Sequence, residues 1–173
     1  MLDIIINSLW LILPAYCANL FPVIMNGKHP IDFKKNFVDG YRLLGDGKTI
    51  EGFFSGIIFG TLVGILQIYL QPFMGQFYVF QFQHNLLTVI LLSTGAIVGD
   101  LIGSFVKRRF RLERGAPTPI LDQLDFLVFS LVVLSVIISI KFSWVIFLLF
   151  ITPLIHYSSN IFAFTLKLKD KPW

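Results

Sequence analysis

Residues 99–126 read GDLIGSFVKRRFRLERGAPTPILDQLDF, and they lie between two long apolar runs. Three aspartates, Asp100, Asp122 and Asp125, sit at the edges of those runs. Lys107, Arg108, Arg109, Arg111 and Arg114 are packed between them. Charge next to hydrocarbon is expensive unless it has a partner or a task. The stretch therefore reads as one membrane helix leaving the bilayer, a basic loop, and a second helix entering on an acidic face.

Working outward, 55% of the 173 residues are hydrophobic and only 14% charged. Soluble domains are nearer 45–50% apolar and about 25% charged. With a mean hydropathy of +0.78, the chain reads as an all-α integral membrane protein, a single domain spanning 1–173 with nothing left for a soluble module. The lone Cys17 excludes an intramolecular disulfide. The first segment lacks a basic leader and a small-residue exit, so it reads as a retained helix.

A span needs roughly 20 mostly apolar residues. Five segments meet or approach this, about 4–25, 52–71, 86–106, 124–140 and 143–166. Gly56, Gly60 and Gly64 in the second and Gly95, Gly99 and Gly103 in the third repeat at spacing four, which lets helices approach closely in lipid. In a five-span bundle, Lys28, Lys34, Lys35, Arg42, Lys48, the five basic residues of 107–114, and Lys167, Lys169 and Lys171 share one side. Lys141 stands on the other. This asymmetry makes the basic side cytoplasmic, with the N-terminus outside and the C-terminus inside. QPFMGQFYVFQFQHN, 71–85, is expected as an outer interfacial loop.

The polar residues gather at the basic end. Asp100, Ser104, Lys107, Arg108 and Arg111 fall three and four apart, on one stripe of the third helix. At about 1.5 Å per residue, Asp100 lies roughly 10 Å deeper than Lys107. It is either one half of a structural ion pair or a ligand for a divalent cation. Asp122 and Asp125, three apart, share a helix face. Asp122 alone could cap a helix, whereas a second carboxylate one turn deeper suits Mg²⁺ shared with substrate phosphates. GDGKTIEGFFSG, 45–56, places Gly47, Lys48 and Thr49 before a helix N-terminus. That is a phosphate cradle or an ordinary capped turn, and not a Walker loop, because Arg42 stands where glycine is required. Asn19 lies between Pro14 and Pro22, which are expected to break the first helix; its amide serves the freed backbone or reaches a cavity. His29, His84 and His156 read as structural histidines. No Cys/His group has zinc spacing.

Carboxylates, basic residues and a glycine-rich helix entry together suit phosphoryl or nucleotidyl transfer, and the membrane setting implies a lipid substrate. GDLIGSFVKRR followed by ILDQLDF resembles the signature of the CTP-dependent lipid phosphate cytidylyltransferases, the CDP-diacylglycerol synthases. GDGKTIEGFFSG resembles their P-G-K-T-x-x-G-x-x-G segment. The short form with PAYCANLFP (14–22) in its first helix is most similar to the archaeal branch, the CDP-archaeol synthases.

The resemblance implies condensation of CTP with 2,3-bis-O-geranylgeranylglycerol 1-phosphate, an unsaturated isoprenoid ether lipid phosphate, with release of pyrophosphate. It implies Mg²⁺ on Asp100 and Asp125 with Asp122 close by. Lys48 and Thr49, beside Gly47, would contact the triphosphate or cytidine, and Ser104, Lys107 and Arg108 stand at the family's serine and basic positions. Two departures are visible: APTPI (116–120) replaces a glycine–histidine–glycine–glycine stretch, and Gln123 replaces an arginine. The expected partners are CTP, the lipid phosphate and the cell membrane, crossed several times with the site facing the cytoplasm. No nucleic-acid polymer is expected, and a homodimer is left open. A CDP-alcohol phosphotransferase would carry D-G-x-x-A-R and G-x-x-x-D-x-x-x-D, both absent. A small transporter would spread its charges near mid-membrane rather than at one face.

Overall fold

The computed structural model describes residues 1–25, 27–112, 118, 121–165 and 167. Arg114, Lys169 and Lys171, counted above for orientation, and all of APTPI except Thr118 lie outside the described residues. Five helices follow in order, α1 (Leu2–Met25), α2 (Ile50–Met74), α3 (Leu86–Arg109), α4 (Leu121–Ser135) and α5 (Phe142–Thr165). Four of them, α1, α2, α3 and α5, are long and apolar enough to cross a membrane. α4 has 15 residues, about 22 Å of rise against a hydrocarbon core of about 30 Å. The expected segment 124–140 thus ends early as a helix, although apolar residues continue beyond it.

Glycine seams hold the bundle. A Cβ at Gly56 would meet the Ala18 carbonyl at 2.8 Å, and one at Gly60 the Pro14 carbonyl at 2.6 Å. α1 and α2 therefore touch backbone to backbone. Along α3, a Cβ at Gly95 would meet Ser130 Cα at 2.9 Å and one at Gly99 the Asp125 carbonyl at 2.6 Å, so α4 lies directly on α3. Leu11, Ile12, Leu92, Leu127, Leu134 and Leu148 fill the shared core.

Pro14 and Pro22 do not break α1, which runs continuously through both. A proline removes one helical donor, which for Pro14 frees the Trp10 carbonyl. Gln67 Nε2 from α2 and His84 Nε2 both reach that oxygen, at 2.9 and 3.0 Å. Neighbouring elements re-satisfy the backbone, which makes proline tolerable inside a span. Burial pushes the His84 imidazole down to about 4, against the opposing pull of the Trp10 carbonyl. It is a neutral structural donor. The loop between α2 and α3 closes over the same end, with Phe80 stacked on Trp10 at 4.4 Å and Asn7 bonded to Tyr78 and the Gln81 amide.

At the other end, residues 27–49 fold around one buried carboxylate. Asp32 accepts hydrogen bonds from Arg42 and from the amides of Lys34, Leu44 and Gly45. Burial alone would raise its pKa, but these donors prevail and hold it at about 2. Backbone bridges Pro30–Thr49 and Asn36–Arg42 close the loop. Arg109 pins it to α3 through Asp39 at 2.7 Å and the Arg42 carbonyl at 2.6 Å.

Candidate active site

Asp32 fixes Leu44 and Gly45, Gly45 turns at a φ of +111°, and the Lys48 amide then donates to the Gly45 carbonyl at 3.1 Å. The turn delivers Lys48 to the third helix. Its ammonium holds both Asp100 carboxylate oxygens, at 2.6 and 2.5 Å. Two turns nearer the helix end, Lys107 pairs with Asp122 of α4. Thr49 is the N-cap of α2, accepting from the Gly52 amide at 3.1 Å.

These two pairs border a cavity of about 380 Å³ entered by residues of every helix except α2. Asn19, Gly47, Lys48, Asp100, Lys107, Arg108 and Asp122 all line it, so seven of the residues marked in the sequence converge. Asn19 lines the cavity, and no described residue hydrogen-bonds its side-chain amide. Arg108 reaches the Leu44 carbonyl and the Leu112 carbonyl from the same rim.

Three marked residues stand back from the cavity. Ser104 is buried and does not line it. Thr49 lines instead a smaller pocket of about 30 Å³ shared with Gly47, Lys48 and Asp100. Asp125 sits in the α3–α4 seam, where Gly103 leaves the space its carboxylate occupies. It accepts from the Phe126 amide at 2.6 Å. The Asp125 carboxylate thus lies against α3 three residues along from Asp100, and Asp125 has no ion-pair partner among the described residues. Arg111 departs from the expected stripe, because α3 ends at Arg109 and Arg111 adopts a φ of +60°.

One wall was missed. Thr152, His156, Ser159 and Asn160 of α5 also line the cavity, with Tyr16 bonded to Thr152 at 2.6 Å. His156 and Asn160 are linked at 3.1 Å. The spacing of four, three and one was legible as a polar stripe on an apolar helix.

Among the described residues no group of three or more His, Cys, Asp or Glu is arranged to hold a metal. The donors available are the hard oxygens of Asp100, Asp125 and Asp122.

The family described as "CarS-like: CDP-archaeol synthase" matches residues 1–173. A CDP-archaeol synthase of Pyrococcus horikoshii is 47% identical over 173 residues, covering 98% of this chain and 97% of its own. One from Methanocaldococcus jannaschii is 45% identical over 170 residues, with 96% of each chain covered. A solved structure described as an intramembrane enzyme for archaeal membrane lipids biosynthesis superposes with a TM-score of 0.77. It is 37% identical and covers 89% of this chain and 92% of its own. With its full length matched and its apolar helices assembled around one charged cavity, the chain belongs to the CDP-archaeol synthase family, and it is a multi-pass membrane enzyme of the cytidylyltransferase class.

Proposed function

We propose that the enzyme transfers the cytidylyl group of CTP to 2,3-bis-O-geranylgeranylglycerol 1-phosphate, forming an unsaturated CDP-archaeol and pyrophosphate. The observation that carries the reading is the convergence of Lys48, Lys107 and Arg108 with Asp100 and Asp122 around one cavity inside an apolar bundle. Three cations at one rim suit a triphosphate. The apolar exterior suits the isoprenoid tails.

A phosphate oxygen of the lipid attacks the α-phosphorus of CTP in line. The bond from that phosphorus to the bridging oxygen breaks, and the electron pair leaves with pyrophosphate. No proton transfer or covalent enzyme intermediate is needed. Lys48 and Lys107 release their aspartates to hold phosphates, and Arg108 steadies the departing group.

The residues present fit Mg²⁺. Asp125 has no ion-pair partner among the described residues, its carboxylate lies against Gly103, three residues along α3 from Asp100, and Mg²⁺ typically takes one or two carboxylates plus substrate phosphates and waters. Asp100 and Asp125 would hold it, with Asp122 nearby. When bound it neutralises charge on the leaving pyrophosphate. The basic loops support a cavity on the cytoplasmic side, with the N-terminus outside and α4 as a short fifth span. All residues invoked come from one chain, so the chemistry needs no second copy.

CTP labelled at the α- or the γ-phosphate, given to purified protein with the lipid phosphate, tests the reading. Label enters the lipid only from the α-position. Label entering from the γ-position, or no transfer to any lipid phosphate, would overturn it.

A further inference from the structure

The loop of residues 27–49 exposes a surface that the reaction does not use. Phe33, Val38 and Phe110 are 70, 94 and 73% exposed, and Phe37 and Tyr41 are 40% exposed. Phe33 and Lys34 adopt consecutive left-handed conformations, with φ of +48° and +62°. Such backbone is strained for residues other than glycine and persists only where the surroundings enforce it. Here Asp32 enforces it by accepting the Lys34 amide at 3.0 Å, while the Phe33 amide donates to the Pro30 carbonyl at 3.1 Å. The strained turn leaves Phe33, Lys34 and Lys35 all exposed.

Two contacts fix the depth of this surface. The Phe37 ring packs edge-on against Phe105 at 5.2 Å, and the Arg109 guanidinium lies over both rings at 4.7 and 4.8 Å. Phe105 and Arg109 are the last turn of a membrane-crossing helix and follow Ile102, which is exposed and apolar, at spacings of three and four. The hairpin therefore packs on the α3 stripe that continues from Ile102, at the basic end of the helix. The charge there is positive: Asp39 is taken by Arg109 and Asp46 by Arg42. Lys34 and Lys35 make no ion pair with any described residue, and Arg111 lies over Tyr41 at 5.2 Å.

We infer that the 33–41 hairpin is an anchor for anionic lipid headgroups, seating Phe33, Phe37, Val38 and Tyr41 at the interface while Lys34, Lys35 and Arg111 meet lipid phosphates. Aromatic rings favour that layer, and clustered basic residues are drawn to anionic leaflets. Asp32 ties the hairpin to Gly45, and Gly45 to Lys48, so the anchor also steadies the cavity rim. That last consequence rests on the function proposed above; the lipid contact does not.

The test uses full-length protein in nanodiscs of phosphatidylcholine, with or without about one third phosphatidylglycerol. Val38→Trp, compared with the parent chain, reports tip depth through quenching by lipids brominated near the headgroup and by aqueous iodide. The expected result is a lipid-to-iodide quenching ratio that rises about twofold or more with phosphatidylglycerol, a rise that Lys34→Glu with Lys35→Glu abolishes. A tryptophan open to iodide in both discs would overturn the inference. So would shielding that appears only as protein concentration rises, which would assign the surface to a second copy. Label transfer from CTP, measured in the same discs, separates the two ideas. Quenching that responds to lipid charge without any transfer would sink the proposed function and leave the anchor standing.

Discussion

Gly103→Ala should inactivate the enzyme without unfolding it. A Cβ at Gly103 would overlap the Asp125 carboxylate, standing 2.8 Å from its Cγ and 3.0 Å from its Cβ. Restoring ordinary carbon contact requires a shift of roughly 0.6 Å or more, and the carboxylate oxygen must move further. α3 and α4 are in backbone contact at Gly99, so the helices cannot simply part, and the carboxylate swings instead. A misplacement of about 1 Å at a reacting centre costs on the order of 100-fold, and overpacking a seam costs about 1–3 kcal/mol. Gly95→Ala supplies the comparison, because its Cβ would strike Ser130 Cα at 2.9 Å in the same seam, two turns from Asp125. Transfer of α-labelled CTP into lipid and thermal melting in detergent are read for both variants. The expected outcome is similar melting losses with an activity loss about tenfold or more larger for Gly103→Ala. Equal activity losses, or an active Gly103→Ala enzyme, would refute the reasoning.

Lys48→Met strips Asp100 of its partner and the cavity of one cation, and kcat/KM should fall about 10²–10³-fold; steady-state kinetics over a CTP series would check it. Asp32 is ionised with a pKa near 2 against an ordinary 3.8, so its contribution is present above about pH 3.8 and lost as pH falls through 2. Asp32→Asn should therefore lower the melting temperature at neutral pH and close the gap to the parent in strong acid. Gln67→Leu removes a donor from the Trp10 carbonyl and should cost about 1 kcal/mol. In a Pro14→Ala background, where the helix supplies its own donor, that cost should shrink by about half, as a double-mutant cycle of melting would read.

Run length and basic asymmetry made four of the helices legible, and spacing-four glycines marked the seams that join them. The end of α4 was not legible. Residues 136–140 are as apolar as the helix before them, and hydropathy does not tell helical from non-helical backbone. Pro14 looked like a break because its missing donor is local, whereas Gln67 and His84, which compensate for it, lie more than fifty residues away. Asp32 is not legible because an aspartate in a basic loop reads as solvated; only the fold shows four separate groups donating to it. Lys48 and Asp100 were marked independently, but nothing in their spacing indicated that they pair. The polar stripe of α5 is visible only when His156 is read together with Thr152, Ser159 and Asn160, since one histidine in an apolar helix reads as structural.

The central claim is that Asp100 and Asp125 share a cation where the phosphates of CTP bind. Anomalous scattering from crystals grown with Mn²⁺ and CTP tests it most directly. A manganese peak between the two carboxylates, touching nucleotide phosphate and lost in Asp125→Asn, is the predicted result. A peak held by neither aspartate, or one that survives the substitution unchanged, would contradict the account.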